Sequence, residues 1–361
     1  MKETKIQWCH STVNPVMGCD GCELWPSRAQ IADAIQEALP ANFGVPQDIV
    51  KAAIQGATNG RPTSELYADR KSVADRIQIT LGLGSRDRHT AVDAIRSNAK
   101  CYAGLLGTMR AGHKGYAENF ELPKLYPGRM ATAAGWRAPT AEEIADKPWL
   151  AVLPRLIFIS DMGDALSSRV PFDYLERDII RNVTSEAGQR HVWLWLTKRP
   201  ERMASFGQWL IDQGGCWPAN LVAMTTITSQ RYAGRADSLR RVPAPLRGLS
   251  LEPLFEPVDL NLDRIKWVIA GGGSDVLAEP FHVEWALALR AQCHDRGIAF
   301  FLKQLGKKPL FEGSPLDLRD AHGGDWGEWP EAWRVRQLPE VFLRRARTGS
   351  SSGQGERKNS P

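Results

Sequence analysis

Cysteines are the residues in this chain whose type and spacing most directly suggest chemistry. Cys19 and Cys22 form a CxxC in the stretch NPVMGCDGCELW, where Asn14, Pro15, Gly18 and Gly21 give the backbone a loop character. Two thiolates two residues apart on a loop can hold one metal or one cluster, and soft sulfur ligands select zinc or iron–sulfur centres. A third candidate, Cys101 in KCYAG, stands 79 residues after Cys22. Three is an informative number. A structural zinc site normally has four protein ligands, and a conventional four-iron cluster uses four thiolates. Three thiolates leave a coordination position open, and an open position is where chemistry takes place. At this level three readings stand side by side: an iron–sulfur site, a zinc knot completed by Cys9 or His10, and no metal. The surroundings do not have the pattern of a thioredoxin-like redox pair. Cys293 falls on an apolar helix face, the usual place of a core cysteine, and Cys216 in GGCWP has no evident partner.

The elements that would position these residues follow from hydrophobic patterning. Short apolar runs recur at 155–160, 191–197, 220–227, 246–253, 266–272 and 298–304, and helical stretches separate them. Uninterrupted apolar runs of this length suit strands buried on both faces, as in parallel sheets. The spacing between them, 21 to 35 residues, brackets the roughly 30 residues of a βαβ unit. One intervening helix shows its buried face as Trp285, Leu289 and Cys293, at i, i+4 and i+8. KIQWCHST (5–12) predicts a further, early strand. Six or seven parallel strands make either a partial barrel or a doubly wound sheet.

Residues 23–100 read differently. Ile31, Ala34, Ile35, Ala38 and Leu39 follow helical spacing, and 48–57, 72–83 and 90–102 continue it. The predicted organisation is therefore a first strand and cysteine loop (1–22), a helical insertion (23–100) and the remaining α/β core (101–340). A Ser/Gly-rich, charged tail (345–361) is expected to be disordered. The formal charge is +5, but 344–361 hold five basic residues against Glu356, a net of +4, which leaves the body near +1. Net charge thus gives no argument for a nucleic-acid groove. The thirteen tryptophans are expected mainly in the core. No run of 18 apolar residues occurs and MKETKIQW has no signal core, so a cytoplasmic protein without a membrane span is expected.

Taken in order, NPVMGC, CYAG, IFISDMGD, LTKRPERM, SLEPL, VIAGGGSD and FFLKQLG resemble the bacteriophage gene-product thirty-seven/sixty-eight family over about residues 4–306. That family is known mainly as a three-cysteine-motif domain of unknown function. It is placed near radical S-adenosylmethionine enzymes such as spore photoproduct lyase. This chain departs from the family pattern in three ways. The family keeps its second and third cysteines together as GCxxCYA, whereas CYA is displaced here by the insertion. Gly273 replaces an acidic residue in the usual GGES, and Asp161 and Gly163 replace serines.

The resemblance implies a partial parallel (β/α) barrel of six or seven strands with an inserted helical lobe. It further implies a four-iron cluster on Cys19, Cys22 and Cys101, whose open iron binds S-adenosylmethionine and, once reduced, generates a 5′-deoxyadenosyl radical. A reductant protein is expected as partner, and a nucleic acid or nucleotide as substrate. Active sites of parallel barrels lie at the carboxyl ends of the strands. That rule makes Asp164, Thr197, Lys198, Glu252, Gly271 and Gly272 the candidate cofactor-binding residues, with Lys303 nearby in the pattern. Each also has a structural alternative: Asp164 as a helix or turn cap, Lys198 as a solvated loop charge, Glu252 as a turn carboxylate. A competing function from another class is a non-catalytic, zinc-braced module that binds nucleic acid or acts between phage and host.

Overall fold

The computed structural model describes residues 4–39, 45–275 and 278–342; the tail 345–361 lies outside them. The chain divides into two compact units. One comprises the residues up to Pro15, Tyr126–Asp161 and those from Val170 onward, and the other Val16–Leu125 and Met162–Arg169.

The strands in chain order are β1 (Ser11–Val13), β2 (Val16–Met17), β3 (Lys124–Leu125), β4 (Leu156–Ile159), β5 (Val192–Thr197) and β6 (Leu221–Thr226). They continue with β7 (Arg247–Leu251), β8 (Trp267–Gly271), β9 (Phe281–His282), β10 (Ala299–Gln304), β11 (Pro309–Phe311) and β12 (Ser314–Pro315). The first unit contains a seven-stranded, all-parallel sheet in the order β1-β4-β5-β6-β7-β8-β10. A doubly wound sheet reverses its strand order at a switch point. Here the order only ascends, and the sheet curls into a half-barrel flanked by helices. β9, β11 and β12 form a small separate sheet.

Alternation along the strands explains why the runs are apolar throughout. Leu156, Phe158, Val192, Leu194, Val222, Met224, Trp267, Ile269 and Phe301 share one cluster with Trp8, Cys9 and Phe342. On the opposite face, Trp195 stacks on Trp217 at 5.9 Å and meets Phe206 of the helix Pro200–Asp212 at 5.7 Å. Both faces are dry, so both parities are hydrophobic. The outer edge of β10 is closed by the chain itself. Leu302 donates to the Val335 carbonyl, Gln337 donates to that of Phe300, and Arg336 lies among Trp149, Trp326 and Trp329. Burial pushes the Arg336 guanidinium down to about 10.

The early strand differs from its predicted position. Residues 5–10 do not join the sheet, which starts at Ser11. The buried Lys147 Nζ donates to the carbonyls of Thr4, Ile6 and Cys9 at 2.7–2.9 Å, and Trp149 Nε1 donates to that of Gln7. These acceptors satisfy a lysine instead of a β ladder. Further on, the chain leaves this unit after Pro15 and re-enters at Tyr126, whose N–H donates to the Pro15 carbonyl at 2.8 Å; Tyr174 Oη donates to the same oxygen.

The second unit is a helical lobe: α1 (Arg28–Ala38), α2 (Gln47–Thr58), α3 (Thr63–Ala68), α4 (Arg70–Leu81), α5 (Ser85–Asn98) and α6 (Tyr102–Met109), with β2 and β3 paired antiparallel. Its apolar faces form their own core of Ile31, Ile35, Val50, Ile54, Leu66, Val73, Ile77, Ala91 and Ile95. A Ser27–Gln30 capping box starts α1. The helix predicted over 90–102 is broken: α5 stops at Asn98 and α6 starts at Tyr102. The interruption has a physical cause, because Lys100 and Cys101 both donate their N–H to the Leu24 carbonyl, at 2.9 and 2.7 Å.

Candidate metal centre

Cys19, Cys22 and Cys101 all belong to the helical lobe, and backbone hydrogen bonds fix the segment of each. Cys19 follows Gly18 and precedes Gly21 by two, both with positive φ (90° and 98°). A side chain at Gly18 would come within 2.5 Å of the Phe120 carbonyl oxygen, so glycine is required there. That same oxygen accepts the Cys19 N–H at 2.7 Å. Cys22 and Trp25 exchange hydrogen bonds in both directions, at 3.0 and 2.9 Å, in a tight turn. The Leu24 carbonyl within this turn takes the Cys101 N–H. An excursion of 79 residues therefore returns its cysteine to a point two residues beyond Cys22.

Cys101 is the N-cap of α6, and its Sγ accepts the Gly104 N–H at 3.4 Å. A helix start favours negative charge, which suits a thiolate. Cys19 is buried, while Cys22 and Cys101 are partly exposed. Among the described residues, no group of three or more His, Cys, Asp or Glu side chains stands ready to hold a metal ion. Zn–S bonds near 2.3 Å require sulfurs about 3.8 Å apart in a tetrahedral site. A cluster attaches each thiolate to a different iron, so its ligands need not converge on one point. By donor type alone, three soft sulfurs suit either an iron–sulfur centre or zinc.

The other cysteines are used elsewhere. Cys9 is fully buried in the half-barrel core, and burial pushes its thiol up to about 12; Cys293 is likewise pushed up to about 12. His10 is held in the core as well: its Nδ1 accepts the Leu156 N–H at 2.8 Å.

The remaining candidates separate into groups. Asp164 is buried in the lobe, where its Oδ1 accepts the Leu166 N–H at 2.9 Å, a turn-capping bond. Gly163, one of the departures from the family pattern, has no room for a side chain because Gly18 backbone atoms lie within 2.5–3.2 Å of a Cβ built there. In the half-barrel, Thr197 Oγ1 accepts the Arg199 N–H, and Lys198 is partly exposed at the end of β5. A Cβ at Gly272 would lie 2.5–2.9 Å from Leu305 and Phe281 atoms, so glycine is required there, while one at Gly271 would lie 3.0–3.4 Å from Gln304, a tight fit. Glu252, joined to Pro253 by a cis peptide bond, pairs with Lys303. Their side chains are only 16% and 14% exposed. β8 lies between their strands, and the register sets Gly271 level with them. A cavity of about 710 Å³ opens at the other end of the strands, around Val192, Leu246 and Ile298, and none of these candidates line it.

Sequence patterns did not single out Trp25, Glu121 or Ser64, although all three help build the cysteine region. Trp25 Nε1 donates to Glu121 Oε1 at 2.8 Å, and Glu121 also accepts from the N–H and hydroxyl of Ser64, both at 2.7 Å.

Fold and site together define a parallel half-barrel protein with a cysteine-bearing helical lobe. A family model described as protein of unknown function (DUF5131) matches residues 94–336, two thirds of the chain, and the chain belongs to that family. The match takes in Cys101 and every strand of the large sheet except β1. Neither curated proteins nor solved structures yield a match to the chain.

Proposed function

We propose that the protein is a radical S-adenosylmethionine-type enzyme in which Cys19, Cys22 and Cys101 hold a four-iron cluster. The observation that carries this reading is the Cys101 N–H on the Leu24 carbonyl, which returns the displaced third cysteine to the CxxC turn. A parallel half-barrel with charged groups at its carboxyl strand ends is consistent with it. A bound cluster with S-adenosylmethionine supplies one-electron chemistry that no side chain can supply.

The chain's own contribution under this reading is to bind and orient. The three thiolates bind, and the start of α6 favours negative charge on Cys101. In the half-barrel, Lys198, Glu252 and Lys303 are the side chains that offer charge to a polar ligand, while Thr197 and Asp164 shape turns and Gly271 and Gly272 permit close packing. The reading carries with it an electron-donor protein and a nucleic acid or nucleotide as substrate. Among the described residues no helix is long and apolar enough to cross a membrane.

The test is anaerobic purification followed by metal analysis and reaction with S-adenosylmethionine and dithionite. Brown protein with about four irons per chain and reductive cleavage of S-adenosylmethionine is the expected outcome. Colourless protein with one zinc and no cleavage overturns the reading in favour of a zinc-braced, non-catalytic module.

A further inference from the structure

One aromatic residue touches all three cysteine-bearing segments. Trp25 closes the turn that begins at Cys22 through its reciprocal backbone hydrogen bonds. Its ring lies flat against Gly104, in the first turn of the helix that Cys101 caps; a Cβ at Gly104 would sit 2.4–2.8 Å from three ring atoms. Its edge meets Phe120 at 5.5 Å and 72°, and the Phe120 carbonyl holds the Cys19 N–H. Phe120 in turn occupies the space that a side chain at Gly107, one turn along α6, would need. The two glycines of CYAGLLG are therefore the floor for two rings packed edge to face. Trp25 is 1% exposed, among the most buried large side chains of the molecule.

The indole is also tethered. Its N–H donates to Glu121, which is held by the backbone and hydroxyl of Ser64 at the start of α3, and the Thr63 hydroxyl donates to the Pro26 carbonyl beside Trp25. A buried indole N–H needs an acceptor. Here that acceptor ties the cysteine turn to the inserted helices.

We infer that Trp25 is the positioning residue that holds the Cys19, Cys22 and Cys101 segments in register, with Glu121 anchoring it to α3 so that the helical insertion maintains the thiolate set. The inference rests on the three cysteines acting as one ligand set, and it extends that reading from the ligands to the residue that arranges them. Trp25 touches no reacting atom. Its action is on the spacing and orientation of the sulfurs, as outer-shell groups act on metal ligands generally.

The experiment compares the full-length wild type with Trp25→Ala, Glu121→Ala and Glu121→Gln, each checked for folding by circular dichroism and thermal melting. Two readouts are taken. The first is iron per chain and the electron paramagnetic resonance spectrum after anaerobic reconstitution. The second, on metal-free protein, is dibromobimane cross-linking of Cys22 to Cys101, which reports thiol proximity without any cluster. Trp25→Ala and Glu121→Ala should lose iron affinity on the order of tenfold or more, the usual cost of removing a partner behind a ligand, and should cross-link less. Glu121→Gln keeps an acceptor for the indole and should restore both. Should Trp25→Ala fail to fold, Glu121→Ala against Glu121→Gln carries the comparison alone. Folded alanine variants with wild-type iron, spectrum and cross-linking overturn the inference. Wild-type protein that takes up no iron, with cross-linking still lost in the variants, sinks the cluster reading and leaves the positioning role standing.

Discussion

The half-barrel and the helical lobe use the same residue type in opposite ways. In the half-barrel, Cys9 and Cys293 fill core space, and burial keeps both thiols protonated to about pH 12. In the lobe, Cys19, Cys22 and Cys101 sit on loops and a helix cap, where backbone N–H groups and carbonyls fix the chain around them. The contrast is one of surroundings: burial governs the thiols of the half-barrel, while turns and a helix start surround those of the lobe. Cys9, clustered with Trp8 and Trp267, serves as packing, whereas Cys101 caps a helix start, the position that the proposed ligand role requires.

The largest expected effect tests that contrast directly. Cys101→Ala should abolish iron incorporation as fully as Cys19→Ala, while Cys293→Ala should leave iron per chain unchanged and lower stability by only about 1 kcal/mol. Iron retained by Cys101→Ala would show the third ligand to be misassigned. Next in size are the two separate cores. Trp267→Ala in the half-barrel should cost about 4 kcal/mol and Ile35→Ala in the lobe about 3 kcal/mol, measured by urea unfolding. A single shared transition moved equally by both would break the distinction between two self-sufficient cores.

A third test uses pH. Burial, reinforced by Arg155 and Lys147, pushes His10 down to about 3. The unfolded chain takes up this proton near pH 6.5 and the folded one does not, so stability is whole above 6.5 and is lost as pH falls toward 3. The loss attributable to His10 should approach about 4 kcal/mol at the acid end. His10→Asn keeps an acceptor for the Leu156 N–H and should flatten the decline in an acid-unfolding series. An unchanged slope would assign the acid sensitivity to other groups. The smallest effect concerns the strand-end ion pair. Lys303→Met should cost about 2 kcal/mol by leaving Glu252 without its partner, and adding Glu252→Gln should recover part of it. Additive losses in that cycle would mean the two side chains do not interact.

The sequence made the half-barrel legible because strands buried on both faces read as continuous apolar runs. Leu156–Ile159, Val192–Thr197 and Trp267–Gly271 all fall within the predicted stretches. It misplaced the first strand because the deciding partner, Lys147, lies about 140 residues away and no local pattern announces it. Composition left barrel and doubly wound sheet undecided, since strand order is a property of pairing and not of any segment. In the site, the three cysteines could be picked out by type and number. The break at Ala99–Cys101 could not, because Leu24 imposes it from another segment. Trp25 and Glu121 were hidden for the same reason, their bond joining positions 96 residues apart.

The hydrogen bond from Tyr126 to the Pro15 carbonyl has a wider consequence. The 110 residues between them (16–125) begin and end at neighbouring points of the half-barrel unit. Closing such a loop costs free energy that grows only with the logarithm of its length. Lineages could therefore trim or enlarge the segment between these anchors and leave the strand pairing of the sheet untouched. In evolutionary terms the segment 16–125 is a cassette whose ends meet at one doorway, while residues 162–169 of the later chain complete its unit.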